Sequence, residues 1–238
     1  MPTLEVRQGK AGYADLQVLF GVDISIKSGT VTAILGPNGA GKSTLLGALS
    51  GLVPFWAGST LLDGRDVTRL SAAARVRAGI TLVPQGRDLF GPLTVRENLE
   101  LGAFVFRLPR NALRARIDTT LGLFPALAAR LHEKAESLSG GQQQMLAIGR
   151  ALMGGPQFLL IDEPSQGLGP LVVESVLQSL VALARDGTGV VLAEQDGNAG
   201  LKVADACYVV RSGAIVWSGT KADAVREGVL MELYFGGK

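Results

Sequence analysis

Short apolar runs rich in valine, isoleucine and leucine recur along the chain, and longer segments with helical periodicity separate them. This alternation favours successive βα units and a mainly parallel sheet. The early segments "LEVRQ" and "GSTLLDG" lie outside the alternation, and we predict that they form an antiparallel front to the domain. The strands predicted from the apolar runs are 22–26, 31–35, 80–84, 158–161 and 190–193.

Between about 88 and 150 the pattern becomes helical, which indicates a helical insertion in the chain path of the sheet. "TVRE", from Thr94 to Glu97, is a capping box that opens one helix, and "RNALRARIDTTLGLF" indicates another. We predict one α/β domain over 1–238, with a core made of 1–87 and 151–238 and a helical subdomain at about 88–150.

The composition is that of a globular domain: 47% of the 238 residues are hydrophobic and 18% are charged. The net charge of +2 comes from interspersed residues, which argues against a nucleic-acid partner. Cys207 is the single cysteine and His132 the single histidine, so we expect no internal disulfide and no Cys/His metal site. This cysteine usage fits a reducing cytosol.

The start of the sequence, "MPTLEVRQGK", has no apolar segment typical of a secretion signal. No apolar run approaches the roughly 20 residues that a membrane-spanning helix needs. We therefore expect any membrane role of the chain to be peripheral.

A phosphate-binding motif follows the predicted strand 31–35 and opens a helical run. Its glycines allow backbone N–H groups to curl around phosphate, and the helix N-terminus adds a favourable partial charge. We expect Lys42 to reach the β- and γ-phosphates of a nucleotide and the Ser43 hydroxyl to ligate Mg²⁺. The motif "GPNGAGKST" has the P-loop spacing and supplies the predicted ATP-binding residues Gly36, Pro37, Asn38, Gly39, Ala40, Gly41, Lys42, Ser43 and Thr44.

Two carboxylates end the apolar strand in "FLLIDEP", residues 158–164. We expect Asp162 to hold the Mg²⁺ shell and Glu163 to take a proton from the attacking water. An Asp-Glu pair at a strand end is often only a solvated turn. Beside a P-loop, the catalytic interpretation is favoured.

A second anion-binding helix start lies in "LSGGQQQ", residues 138–144, which precedes the helical stretch "MLAIGRALM". One chain has a use for two phosphate-binding motifs only if they serve different copies of the nucleotide. We therefore predict a dimer in which each ATP lies between the P-loop of one subunit and the second motif of the other. The residues predicted to contact ATP from the opposite subunit are Ser139, Gly140, Gly141 and Gln142.

The P-loop, "LSGGQ" and "LLIDEP" occur in the order that is typical of ATP-binding-cassette (ABC) ATPases, and the chain resembles that family over almost its whole length. The resemblance implies a P-loop NTPase core with a mainly parallel sheet, an antiparallel β front and a helical subdomain, together with ATP and Mg²⁺. It also implies that Tyr13 stacks on adenine and that Gln85 contacts Mg²⁺ and couples the core to the helical subdomain. As an alternative, Tyr13 is an ordinary surface tyrosine of a strand.

Four segments narrow the resemblance to one of the two ATPase subunits of branched-chain amino acid importers. They are "VPQGRDLFGPLTVRENLELGAF", "FPALAARLHEKAESLSGGQQQMLAIGRALM", "DEPSQGLGP" and the terminal "ELYFGG". Urea and short-amide importers have very similar subunits, so branched-chain amino acids are the favoured solute and urea or short amides are the alternative.

Gln195, in "LAEQDG", departs from most ABC ATPases, which carry a histidine that contacts the γ-phosphate after this strand. The resembling importer subunits also carry Glu-Gln here. We expect Gln195 to donate a hydrogen bond to the γ-phosphate or the attacking water, and a plain strand-capping amide is the alternative. The loop "SQGLGP" after Glu163 lacks the aspartate with which many relatives contact the opposite subunit. The resemblance therefore does not say which contact would carry a signal from one subunit of the dimer to the other.

The resemblance implies an ATPase subunit that works at the cytoplasmic face of a bacterial inner membrane. ATP would close the dimer and hydrolysis would reopen it. The implied partners are two membrane permease subunits, a second ABC ATPase subunit (in a heterodimer, or a homodimer in isolation) and, indirectly, a periplasmic solute-binding protein. A soluble ABC ATPase that acts on DNA or ribosomes is less favoured, because such proteins usually carry insertions too long for this chain. A non-hydrolysing scaffold is opposed by the intact Lys42, Asp162 and Glu163.

Overall fold

The computed structural model describes residues 1–229, so the terminal "ELYFGG" segment lies outside the described residues. The strands are β1 Thr3–Tyr13, β2 Leu16–Lys27, β3 Val31–Leu35, β4 Phe55–Leu62, β5 Arg65–Asp66, β6 Ile80–Val83, β7 Phe158–Asp162, β8 Gly189–Glu194, β9 Ala206–Arg211 and β10 Ala214–Thr220. The α-helices are α1 Lys42–Ser50, α2 Ala72–Arg77, α3 Val95–Gly102, α4 Arg110–Leu123, α5 Pro125–Ala128, α6 Gly140–Leu152, α7 Pro170–Arg185, α8 Gly197–Val203 and α9 Lys221–Arg226.

A six-stranded sheet forms the centre of the fold, with the strand order β10-β9-β3-β8-β7-β6. Its first pair, β10 and β9, is antiparallel, and the other neighbours are parallel. Every residue of β3, β7 and β8 is buried, because helices or a second sheet cover both faces of these strands. Four of the predicted strands, 31–35, 80–84, 158–161 and 190–193, are thus confirmed as β3, β6, β7 and β8.

A second sheet is antiparallel, with the order β2-β1-β4-β5, and it contains both segments that were predicted as the front. The predicted strand 22–26 also belongs to this sheet, within β2, and not to the parallel one. The reason is that β2 follows β1 after the two-residue connection 14–15, so that the two strands pair as a hairpin. Its burial alternates, with Val22, Ile24 and Ile26 inside, as one solvent-facing side requires.

The core has two main layers, one on each face of the six-stranded sheet. On one face, Leu45 and Leu49 of α1 pack with the sheet residue Leu160 and with apolar residues of the antiparallel sheet. On the other face, α6 and α7 pack against β7 and β8, where Leu146 and Leu180 are fully buried. These layers fix the ends of β3, β7 and β8, and the loops that leave those ends carry the predicted site residues.

The segment between β6 and β7 is helical, as predicted. Thr94 accepts a hydrogen bond from the Glu97 N–H at 3.1 Å and its own N–H donates to the Glu97 carboxylate at 2.7 Å, so the capping box is confirmed. The predicted helix at 110–124 is α4. The boundaries of a separate helical subdomain at 88 and 150 stay a prediction. No helix within residues 1–229 combines the length and the apolarity that crossing a membrane requires.

Candidate active site

The P-loop leaves the buried end of β3 and enters α1. Gly41 is the N-cap of α1 with φ 106°, and no side chain caps this helix start. The first N–H groups of α1 are therefore available to bind an anion. Gly36 has a different constraint, because a Cβ there would lie 2.3 Å from the carbonyl oxygen of Val210. Only glycine fits where β3 passes into the loop.

Lys42 is held inside the loop and is 4% exposed. Its Nζ donates to the carbonyl oxygens of Gly36, at 2.9 Å, and Pro37, at 3.2 Å, and lies 3.7 Å from Oε1 of Glu163. The ammonium group is therefore fixed between two carbonyl oxygens of the loop and the carboxylate of Glu163. This is the arrangement expected of a lysine that neutralises phosphate charge.

Asp162 ends β7 as a buried carboxylate, and its Oδ1 has no hydrogen-bond partner in the described residues. Burial raises the pKa of this carboxyl above its ordinary value, while a hydrogen bond with Ser43 acts in the opposite direction. A hydroxyl and a carboxylate with an unsatisfied oxygen form a donor set that suits Mg²⁺. These residues fit the predicted cation.

Glu163 follows in the left-handed region, with φ 49°. Its Oε2 accepts a hydrogen bond from Nε2 of Gln85 at 3.0 Å, and Gln85 also donates to Oε1 of Gln166 at 2.8 Å. The carboxylate of Glu163 thus lies between an amide and the ammonium group of Lys42. The cavity around this group measures about 480 Å³ and is lined by Val18, residues 38–44, Gln85 and Glu163.

Gln195 shares a second cavity with Glu163. It follows β8 directly and lines a neighbouring cavity of about 590 Å³ together with Glu163, Ser165, Gln166 and other residues near the end of β8. Tyr13 ends β1, is 52% exposed, and its hydroxyl accepts a hydrogen bond from Thr44 at 3.5 Å. Tyr13 therefore contacts the P-loop through Thr44, and Gln195 shares a cavity with Glu163.

Ser139 and its neighbours begin α6. The Ser139 hydroxyl accepts from the Gln142 N–H at 3.4 Å, and the Gln142 side chain accepts from the Ser139 N–H at 3.0 Å. Gly141 packs closely on Val172, where a Cβ would lie 2.3 Å from Cγ1. None of the described residues that line the P-loop cavity belongs to this helix start.

The sequence profile of the ABC transporter family matches residues 19–166, which is well over half of the chain. The chain belongs to the ABC transporter family. It is accordingly a nucleotide-binding ATPase, and the predicted family and fold class are confirmed.

Relatives of this ABC ATPase cover nearly all of it. BraG of Pseudomonas aeruginosa, a high-affinity branched-chain amino acid transport ATP-binding protein, is 40% identical over 94% of this chain and 96% of its own. LptB of Escherichia coli, a lipopolysaccharide export system ATP-binding protein, is 31% identical over 99% and 98%. A dimeric ATP-binding cassette in a post-hydrolysis state with ADP and Pi matches with a TM-score of 0.81, at 27% identity, over 92% of this chain and 98% of that one.

Arg87 is a site neighbour of this ABC ATPase that the sequence analysis did not identify. Its Nε donates to Gln144 at 3.1 Å and its Nη1 to Gln143 at 3.2 Å, both in α6. Arg150 of the same helix donates back to the carbonyl oxygens of Asp88, at 2.7 Å, and Arg87, at 3.1 Å. The segment that carries Gln85 is therefore attached to the helix that begins at Ser139. The contacts span more than 50 positions, and no local pattern marks them.

Glu194 is a second residue beside the site that the sequence did not indicate. It is 1% exposed at the end of β8, and burial raises the pKa of its carboxyl to about 7 despite hydrogen bonds from Ser165 that lower it. Between pH 4.5, its ordinary pKa, and pH 7, the folded chain keeps a proton that the unfolded chain has released. The free energy of unfolding therefore contains a contribution that is present below pH 4.5 and is lost as the pH rises to 7.

The Glu194→Gln variant lacks this titration, so its free energy of unfolding is expected to rise relative to the parent by about 2–3 kcal/mol between pH 5 and pH 8. Urea unfolding of both proteins at the two pH values measures the difference, in which the other titrating groups cancel. The exposed Glu136→Gln variant is the control and should follow the parent. Equal pH dependence in the parent and in Glu194→Gln would contradict the raised pKa.

Proposed function

We propose that this ABC ATPase is the ATP-hydrolysing subunit of an importer for branched-chain amino acids and drives uptake through a partner membrane permease. The observation that carries the solute class is the identity to BraG over almost the full length of both chains. The geometry that supports hydrolysis is the placement of Glu163 between Lys42 and Gln85. ATP is the substrate that this chain itself handles.

Each site residue has a proposed role in hydrolysis. Bound Mg²⁺ would neutralise charge on the β- and γ-phosphates, and Ser43, Asp162 and Gln85 are the residues that would hold it. Lys42 would place its positive charge beside the same phosphates. Glu163 accepts the proton of the attacking water. The remaining proposed contacts come from Gln195 at the γ-phosphate or the attacking water, Tyr13 at adenine, and residues 36–44 around the phosphates.

We propose a dimer in which Ser139, Gly140, Gly141 and Gln142 of one subunit complete the ATP site of the other. The start of α6 contributes nothing to its own P-loop cavity, which supports a role in a second copy. In the transporter the second subunit would be another ABC ATPase, with two permease subunits at the membrane and a periplasmic binding protein outside. The chain would then work at the cytoplasmic face of the inner membrane, as a peripheral subunit.

The solute is tested by uptake in cells that lack this gene and carry either the parent or the Glu163→Gln variant. We expect the parent to restore uptake of radiolabelled leucine, and we expect neither the deletion nor Glu163→Gln to support it. Urea uptake should be equal in all three strains. Restored urea uptake without leucine uptake would assign the chain to an amide importer, and no change in either would contradict both assignments.

A groove of about 310 Å³ between β6, α3 and α6 is the proposed docking surface for a cytoplasmic helix of the permease. Phe90 at its edge is 53% exposed and nearby Phe104 is 77% exposed, so apolar surface is available to an apolar partner helix. The Phe90 ring lies 5.6 Å from the guanidinium of Arg150. Leu89 is less suitable for a test, because it packs partly buried against the main core.

Phe90→Asp is expected to lower solute uptake at least about tenfold, because it replaces an exposed aromatic ring by a carboxylate that the apolar interface would have to desolvate, at a cost of more than about 1.4 kcal/mol. Basal ATP hydrolysis of the isolated subunit should be unchanged, since the new carboxylate would face Arg150 and solvent. Val216→Asp replaces a similarly exposed residue of β10 and is the matched control. Full uptake with Phe90→Asp would place the docking surface elsewhere.

A further inference from the structure

Glu194 is a buried carboxylate for which the scheme of hydrolysis has no role. Ser165 donates to it twice, from its N–H to Oε1 at 3.1 Å and from its hydroxyl to Oε2 at 2.8 Å. A carboxylate without exposure is costly to keep in a protein interior unless such hydrogen bonds satisfy its oxygens. The pair joins the end of β8 to the segment 164–169, which we call the post-Glu163 loop.

A second contact joins the same two parts of the chain. The Glu163 N–H donates to the carbonyl oxygen of Ala193 at 2.8 Å, one position before Glu194. Glu163 has φ 49°, a sparsely populated conformation for a residue with a side chain, which persists only where its surroundings hold it. Ala193 and Glu194 therefore anchor the chain at Glu163 itself and two residues beyond it.

The end of β8 is itself well fixed. Asp196 caps α8 by accepting from the Asn198 N–H at 2.9 Å, and Gly200 of that helix lies against Glu194, where a Cβ would be 3.6 Å from the Glu194 Cβ. Glu194 thus packs against α8 as well as being hydrogen-bonded by Ser165. A rigid carboxylate is suited to hold a loop in place.

We propose that Glu194 is a positioning residue that, through Ser165, fixes the post-Glu163 loop and so keeps the Glu163 carboxylate aimed at the attacking water beside Gln195. The proposal rests on the proposed function, in which Glu163 is the general base. Neither Glu194 nor Ser165 lines the P-loop cavity, so loss of their contact changes the chemical step and leaves ATP binding intact.

The expected result is a fall in kcat with the KM for ATP within about twofold of the parent. Ser165→Ala removes one of the two hydrogen bonds to the Glu194 carboxyl and is expected to lower kcat roughly three- to tenfold. Glu194→Ala removes both and should lower it about 10- to 100-fold. Ser165→Thr keeps the hydroxyl and should restore most of the activity. Ser179→Ala in α7 is the control and should match the parent.

A double-mutant cycle separates positioning from a general loss of structure. The Glu194→Ala, Ser165→Ala double variant should be no slower than Glu194→Ala alone, within about twofold, because both changes break one contact. In the Glu163→Gln background, Ser165→Ala should not slow the residual turnover further. The proposal would be overturned if the loss of kcat in the double variant equalled the product of the two single losses. It would also be overturned if Ser165→Ala had the kcat of the parent.

The same measurements distinguish the two proposals. If Glu163→Gln turns over ATP at the parent rate, the assignment of the general base fails. If Glu163→Gln is inactive while Glu194→Ala and Ser165→Ala keep the parent kcat, only the positioning role fails. Thermal unfolding is the control for these variants. Ser165→Ala and Ser165→Thr should unfold at the same temperature as the parent, which would show that their fold is intact.

Discussion

Replacing Lys42 by alanine is expected to abolish ATP turnover, with a loss of at least about 10³-fold, and to weaken nucleotide binding. The expectation follows from the position of Nζ, which two P-loop carbonyl oxygens hold at 2.9 and 3.2 Å. A charge preorganised in this way stabilises phosphate in the bound state and gains further as charge develops in the transition state. Phosphate release and equilibrium binding of a fluorescent ATP analogue measure the two effects separately.

The Lys42→Ala experiment needs two controls. Lys27→Ala removes an exposed lysine at the end of β2 and should behave as the parent. Thermal unfolding is needed because Lys42 is 4% exposed and its loss leaves Glu163 without the cation that lies 3.7 Å away. Turnover near the parent rate, from a well-folded Lys42→Ala protein free of contaminating ATPases, would refute the assignment of the P-loop.

The Glu163→Gln variant is expected to bind ATP and leave it uncleaved, with turnover reduced about 10²- to 10⁴-fold. Glutamine keeps the shape of the side chain and can still interact with Gln85, but it cannot accept the proton of the attacking water. The substitution also removes the carboxylate that faces Lys42, so that ATP affinity should be retained or increased. Single-turnover hydrolysis with excess protein measures the chemical step directly.

Gln166→Ala provides the matched comparison for Glu163→Gln, because it removes the other acceptor of the Gln85 amide and keeps the carboxylate. It should lower turnover far less than Glu163→Gln does. Equal losses in the two variants would indicate that the hydrogen bonds of Gln85, and not a proton transfer to Glu163, limit the reaction.

The sequence predicts those parts of the site that depend on local spacing. The P-loop residues are contiguous, and the strand before them and the helix after them form where the apolar pattern indicates. Asp162 and Glu163 are likewise located by the end of an apolar run. Their approach to the P-loop follows from topology, because β7 and β3 both flank β8 in one parallel sheet.

Other features need the folded chain. The strand at 22–26 has the composition of a buried strand, and only its pairing with β1 shows that it belongs to the antiparallel sheet. The contacts of Arg87 with Gln143 and Gln144, and of Glu194 with Ser165, join residues that are 29 or more positions apart. Polar side chains of this kind look like ordinary loop residues until the fold brings their partners to them.

The proposed ATP site between two subunits is tested most directly by the mass of the Glu163→Gln protein in light scattering, with and without ATP and Mg²⁺. If ATP lies between the P-loop of one subunit and the start of α6 of another, the mass should double when both are added and return to that of the monomer when Ser139→Arg is introduced. ATP binding to the Ser139→Arg monomer should persist. A monomer under all conditions, or a dimer that Ser139→Arg leaves unchanged, would contradict an ATP site shared between two subunits.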